Sequence, residues 1–251
     1  MLNTSVFGLF LLLFTSFGTN PVFAGCEDSA APKVNWANCD MSGKIFKNKD
    51  LSNAVLTGAN LSHADFSNAI LENVDFNFAR LEEARFDGAR MTKTRLVAVK
   101  ANGASFRNTT LEDSRLSRAK LNKADFTGAR ADKANFYESE LESAIFVDAR
   151  LNSASFEQTK LSHARFDGAA LKQSTFLNAR LHGTSFNGAD ISRGIFDESD
   201  CRDADFTNAN LTKASFRQAE IEESIFTEAI LRDTIWSNYK RCRASSIGEC
   251  L

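Results

Sequence analysis

The side chains best suited to chemistry in this 251-residue chain are three histidines, His63, His163 and His182, and five cysteines, Cys26, Cys39, Cys201, Cys242 and Cys250. Imidazoles and thiolates bind metals, but only where several of them converge on one ion. A cysteine nucleophile needs solvent access and a neighbouring base. Phosphate chemistry calls for a glycine-rich loop, and acyl transfer for a nucleophile elbow. No phosphate loop, nucleophile elbow or paired-carboxylate arrangement departs from the surrounding pattern. The expectation is a non-enzyme with no cofactor and no metal site.

What positions these residues is a period of five. From Phe46 to Trp236 every fifth residue is apolar or alanine, with no insertion or deletion, and the register extends back through Met41 and Trp36. A small residue sits two positions earlier, as at Ala54, Ala59, Ala64 and Ala124. Five residues at about 100° each leave a helix out of phase, and five along a strand reverse the side chain's face. Neither element can bury this pattern. The chain must turn once per pentapeptide, so that its large apolar residues all meet one axis, which makes a solenoid.

The number of sides follows from a second pattern. Inward positions whose numbers end in 6 are almost all Phe, and those ending in 1 are mostly Leu or Ile. Four sides keep these ladders separate, with Phe46, Phe66, Phe86 and Phe106 on one face and Leu56, Phe76, Leu96 and Leu116 on the opposite one. At strand spacing of about 4.8 Å, adjacent rings fall within aromatic contact range. The same spacing puts His63 and His163 roughly 24 Å apart, too far to share a metal. His163 and His182 share a face on neighbouring turns, with no Cys, Asp or Glu completing a recognisable cluster. Cys201 takes an inward position and reads as a small buried hydrophobe.

A net charge of -2, 25% charged residues and only two prolines argue against disorder, a polyanion-binding surface and a two-domain chain. Residues 1–24 differ in kind: they hold no charged side chain, carry an apolar run from Val6 to Phe17, then break at Gly18, Asn20 and Pro21. The run is shorter than the roughly 18 to 20 residues of a membrane anchor and reads as a signal peptide cleaved before Gly25. In an oxidising compartment, Cys26 with Cys39 and Cys242 with Cys250 would close short local loops. Phe23-Ala24-Gly25-Cys26 also resembles a lipoprotein box; lipidating Cys26 would leave Cys39 without a partner.

Units such as Ala124-Asp125-Phe126-Thr127-Gly128 and Ala209-Asn210-Leu211-Thr212-Lys213 resemble the A-[DN]-[LF]-x-x repeat of the pentapeptide-repeat family. The resemblance implies an all-β fold, a right-handed quadrilateral β-helix of about ten coils, on the order of 45 to 50 Å long, without inserted loops. The expected division is a signal peptide over 1–24, an N-terminal cap over 25–45, the solenoid over 46–236 and a C-terminal cap over 237–251. Cys26 to Cys39 around Trp36, and Trp236 to Cys250, resemble the stapled ends of exported bacterial members. Such caps shield the open core and strand edges.

Function then falls to the outward positions. One column reads Arg80, Lys100, Lys120, Glu140, Lys160 and Arg180 before turning acidic at Asp200 and Glu220. It is either a solvated ladder that discourages self-association or a docking strip for an anionic partner. On the Leu56 face, Phe78, Val97, Tyr137, Leu177, Ile195 and Ile235 point outward, as scattered surface apolars or as a partner patch. The expected function is an exported scaffold, periplasmic or secreted, for an unidentified protein or envelope component, as a monomer or weak homodimer. Family members that protect gyrase present an acidic rod shaped like DNA. Arg80, Arg85, Arg90, Arg95 and Lys100 circle the middle of this chain instead, and no nucleic acid is expected as a partner.

Overall fold

The computed structural model describes residues 25–251; the signal peptide expected over 1–24 lies outside the described residues. Each pentapeptide repeats one conformation: an inward residue, two turn residues, a small inward residue, and a residue bridged to the next coil. In the Leu51 repeat the Ala54 N–H donates to the Leu51 carbonyl at 2.9 Å, and the corner residue Asn53 has φ +59°. A left-handed third residue is what a type II turn demands. Glycine meets that demand without strain at Gly58, Gly88 and Gly128, but Lys, Glu, Gln, His and Ser hold the same conformation elsewhere. Each of these costs about 1–2 kcal/mol, sustained by bonds to both neighbouring coils.

Parallel bridges join each such residue to the one 20 positions on, from Asn35↔Val55 to Ser215↔Ile235. One turn of the chain therefore has four sides, named here by their first inward residues: Phe46, Leu51, Leu56 and Leu61. Each repeat sends the same bonds upward. Leu51 donates to the Ile70 carbonyl and Asn53 to that of Glu72, each at 2.9 Å, while the Ala54 carbonyl accepts from Asp75 at 3.0 Å. A side is bridged at a single residue, so the sheet is a stack of isolated bridges with no longer strands. The ladder starts at Asn35, so residues 35–45, expected to belong to the N-terminal cap, are already regular coil.

Inside, Phe86 and Phe106 stack with centroids 4.9 Å apart and planes 2° from parallel, and the opposite ladder stacks likewise at Phe136 and Phe156, 4.8 Å apart. The alanines beside them are fully buried. Where a hydroxyl replaces alanine it bonds to the backbone: Ser139 Oγ donates to the Leu116 carbonyl at 2.6 Å, and Thr184 Oγ1 to that of Leu161 at 2.9 Å. Trp36 ends the stack below Phe46 at 5.1 Å, and Trp236 closes it above Phe226 at 4.8 Å. Disulfides Cys26–Cys39 and Cys242–Cys250 staple the two ends.

Candidate interaction surfaces

The regular corners decide where every functional candidate sits. His63 and His163 both occupy left-handed corners, and His63 Nδ1 lies 3.4 Å from Glu83. His163 and His182 meet ring to ring at 5.8 Å, and His182 Nδ1 is 3.2 Å from Asp203 on the next coil. That acidic neighbour was missed in sequence reasoning because it lies one coil away. His182 shares a shallow depression with Asp200, Arg202, Asp203, Glu222 and Glu223, but Arg202 already holds Asp200 through two bonds of 2.8 Å. Among the described residues, no three His, Cys, Asp or Glu side chains are grouped to hold a metal. Cys201 is fully buried; burial pushes its thiol up to about 12, although the Ser199 hydroxyl lies 3.1 Å away. A neutral, enclosed thiol is a poor nucleophile.

The basic column is thinner than its sequence. Arg80 lies 3.8 Å from Glu82, and Lys160 bonds Glu140 at 3.2 Å. Lys100, Lys120 and Arg180 have no ion-pair partner among the described residues, and Lys100 and Lys120 are bridged neighbours. Like charges directly opposed on a sheet destabilise it. The arginines around the middle are neutralised one by one: Arg85 by Asp87 at 3.1 Å, Arg90 by Glu72 at 2.5 Å and Arg95 by Asp75 at 2.7 Å.

On the Leu56 side the apolar residues are interrupted. The column reads Val97, Ser117, Tyr137, Glu157 and Leu177, so an apolar residue recurs on alternate coils with a polar one between. The structure brings Val97 and Tyr137 into one shallow depression with Arg115, Ser117, Arg118 and Asn135. Phe78 adjoins it, its N–H donating to the Val97 carbonyl at 2.9 Å. This ring is 64% exposed on a corner with φ +62°, doubly costly for a bulky apolar residue. Leu177, half-buried, lies two coils beyond Tyr137 and outside the group. Arg118 bonds Glu138 at 2.7 Å, and the hydrogen bond to Glu138 raises the Tyr137 hydroxyl above its ordinary value.

A family model described as a pentapeptide repeat region matches residues 69–146, and one described as pentapeptide repeats (8 copies) matches 37–73, 159–200 and 199–235. The chain belongs to the pentapeptide-repeat family. No curated protein sequence matches it significantly. Among solved pentapeptide-repeat structures, HetL, involved in heterocyst differentiation regulation in Nostoc sp. strain PCC 7120, is 22% identical. That match covers 84% of this chain and 94% of HetL, with a TM-score of 0.66. A pentapeptide-repeat protein of the Arabidopsis thaliana thylakoid lumen is 24% identical over 42% of this chain and 79% of its own, with a TM-score of 0.37. QnrB1, a plasmid-mediated fluoroquinolone resistance protein, is 20% identical over 72% and 88%, with a TM-score of 0.36. At these identities the likeness is one of fold, and the outer surface of a pentapeptide-repeat protein has to be read on its own residues.

Proposed function

We propose that this pentapeptide-repeat protein is an exported, non-catalytic scaffold, a right-handed rod of about ten coils that presents its outer side chains to a protein or envelope component. The observation that carries the reading is the exposed corner ring of Phe78 beside Val97 and Tyr137, an arrangement that costs stability and leaves most of an aromatic ring in water. Buried Cys201 and the arginine-occupied carboxylates around His182 favour a non-enzyme. The terminal disulfides favour an oxidising compartment, periplasmic or extracellular. One sulfur cannot carry both a lipid and a disulfide, so the bond to Cys39 favours an unlipidated Cys26. The rod acts as a monomer or weak homodimer.

The test is capture from an envelope extract on immobilised mature protein, alongside the variants Phe78→Asn, Tyr137→Ser and Lys120→Glu. The expected result is a component retained by the parent protein and lost with Phe78→Asn or Tyr137→Ser. Equal retention by every variant overturns the surface assignment, and retention of nothing overturns the scaffold.

A further inference from the structure

The C-terminal end of the ladder is only half covered. In each lower coil the inward and corner residues donate their N–H groups upward: Phe206 to Ile225 at 2.7 Å, Asn208 to Thr227 at 2.9 Å, Cys201 to Glu220 at 2.8 Å and Asp203 to Glu222 at 3.1 Å. Above the last coil the cap receives such bonds on two sides, from Leu231 to Ser246 at 3.0 Å and from Trp236 to Lys240 at 2.7 Å, and Gly248 donates to the Ala229 carbonyl at 3.0 Å. The equivalent N–H groups of Ile221, Glu223, Phe226 and Glu228, and the Ser224 carbonyl, have no backbone partner among the described residues.

We propose that this free edge binds an extended strand, alternating apolar and basic residues, from a partner protein; the proposal rests on the scaffold reading and gives one of its partners a chemistry. Unpaired ladder donors are satisfied by the carbonyls of an added strand. The cap starts this row itself, pairing Ile247 antiparallel with Ile230 and leaving the ladder at Gly248, so an incoming strand continues it. Ile225, 48% exposed, and Ile247, 56% exposed, form the apolar rims of a groove floored by Phe226, and successive side chains of a strand point to opposite faces. Glu228 and Glu249 line it and call for basic side chains. The same end of a second copy would set glutamate against glutamate.

The probe is an end-blocked peptide, Lys-Val-Lys-Val-Lys-Val, titrated onto the mature protein by fluorescence anisotropy, with amide hydrogen exchange read in parallel. Saturable binding is expected, weakened about tenfold by Ile225→Lys or by Glu228→Lys with Glu249→Lys, and unaffected by Phe78→Asn. The amides of Phe226 and Glu228 exchange fast in the free protein and slow on binding. No saturable binding, variants that bind like the parent, or unchanged exchange would overturn the proposal. Self-association of the free protein abolished by Ile225→Lys would overturn it too, assigning the edge to a second copy. Because the peptide needs no cellular partner, its failure leaves capture through Phe78 and Tyr137 separately testable.

Discussion

Phe136 stands edge-on to Phe126, with centroids 5.8 Å apart and planes at 90°, while each ring stacks nearly parallel with the one a coil away in its own ladder. The two ladders thus lock into one another across the axis. Offset stacks and edge-to-face contacts both suit the aromatic quadrupole, so the rod's interior is a continuous aromatic column with few side-chain degrees of freedom.

Position 136 tests that column. Phe136→Ala should lower stability by about 3–5 kcal/mol, because the void is walled by rings that cannot collapse. Phe136→Leu should cost less than about 1.5 kcal/mol, since Leu96 and Leu116 already occupy this ladder. Urea unfolding of both variants measures the contrast; equal losses would mean the rings contribute only bulk.

Phe78→Asn should leave stability unchanged or raise it by up to about 1 kcal/mol, because asparagine tolerates the left-handed corner better and no core contact is lost. Thermal unfolding reads the change. A large destabilisation would show that the ring packs in the fold, and would remove the reason for placing it in an interface.

Lys100→Glu replaces two like-charged cross-coil pairs, with Arg80 and with Lys120, by opposite-charged ones. A gain of a few tenths of a kcal/mol is expected, shrinking as salt is added. A loss that is insensitive to salt would show that Lys100 is fixed by something other than repulsion.

The hydrogen bonds from Arg202 hold the Asp200 carboxyl below the ordinary 3.8. A folded value lower than the unfolded one means stabilisation that is present above the unfolded value and is lost as pH falls through the lower, folded one. Arg202→Gln should therefore lose less melting temperature than the parent between about pH 5 and pH 2. Identical acid limbs in the two proteins would show that this pair contributes nothing.

The core was legible because burial in a solenoid repeats at fixed spacing: Phe46 to Trp236 and the alanines beside them sit where the five-residue period requires. The corners were not, because the turn accepts Lys93, Glu138 or Gln173 as well as glycine, leaving no residue type to mark it. The ion pairs escaped for a related reason. Arg90 with Glu72 and Arg95 with Asp75 are far apart in sequence and adjacent only once coils stack. Phe78, Val97 and Tyr137 were recognisable singly as outward apolar residues. Their grouping around Arg115 and Arg118, and the separation of Leu177, needed the columns in register.

A rod stapled at both ends by disulfides is expected in an oxidising compartment. Cell fractionation, followed by mass spectrometry of the N-terminus and the cysteine linkages of the recovered protein, tests it most directly. The expected result is a periplasmic or secreted chain beginning at Gly25, with Cys26–Cys39 and Cys242–Cys250 bonded and Cys201 a free thiol. A cytoplasmic chain retaining residues 1–24 with all five cysteines reduced would contradict it.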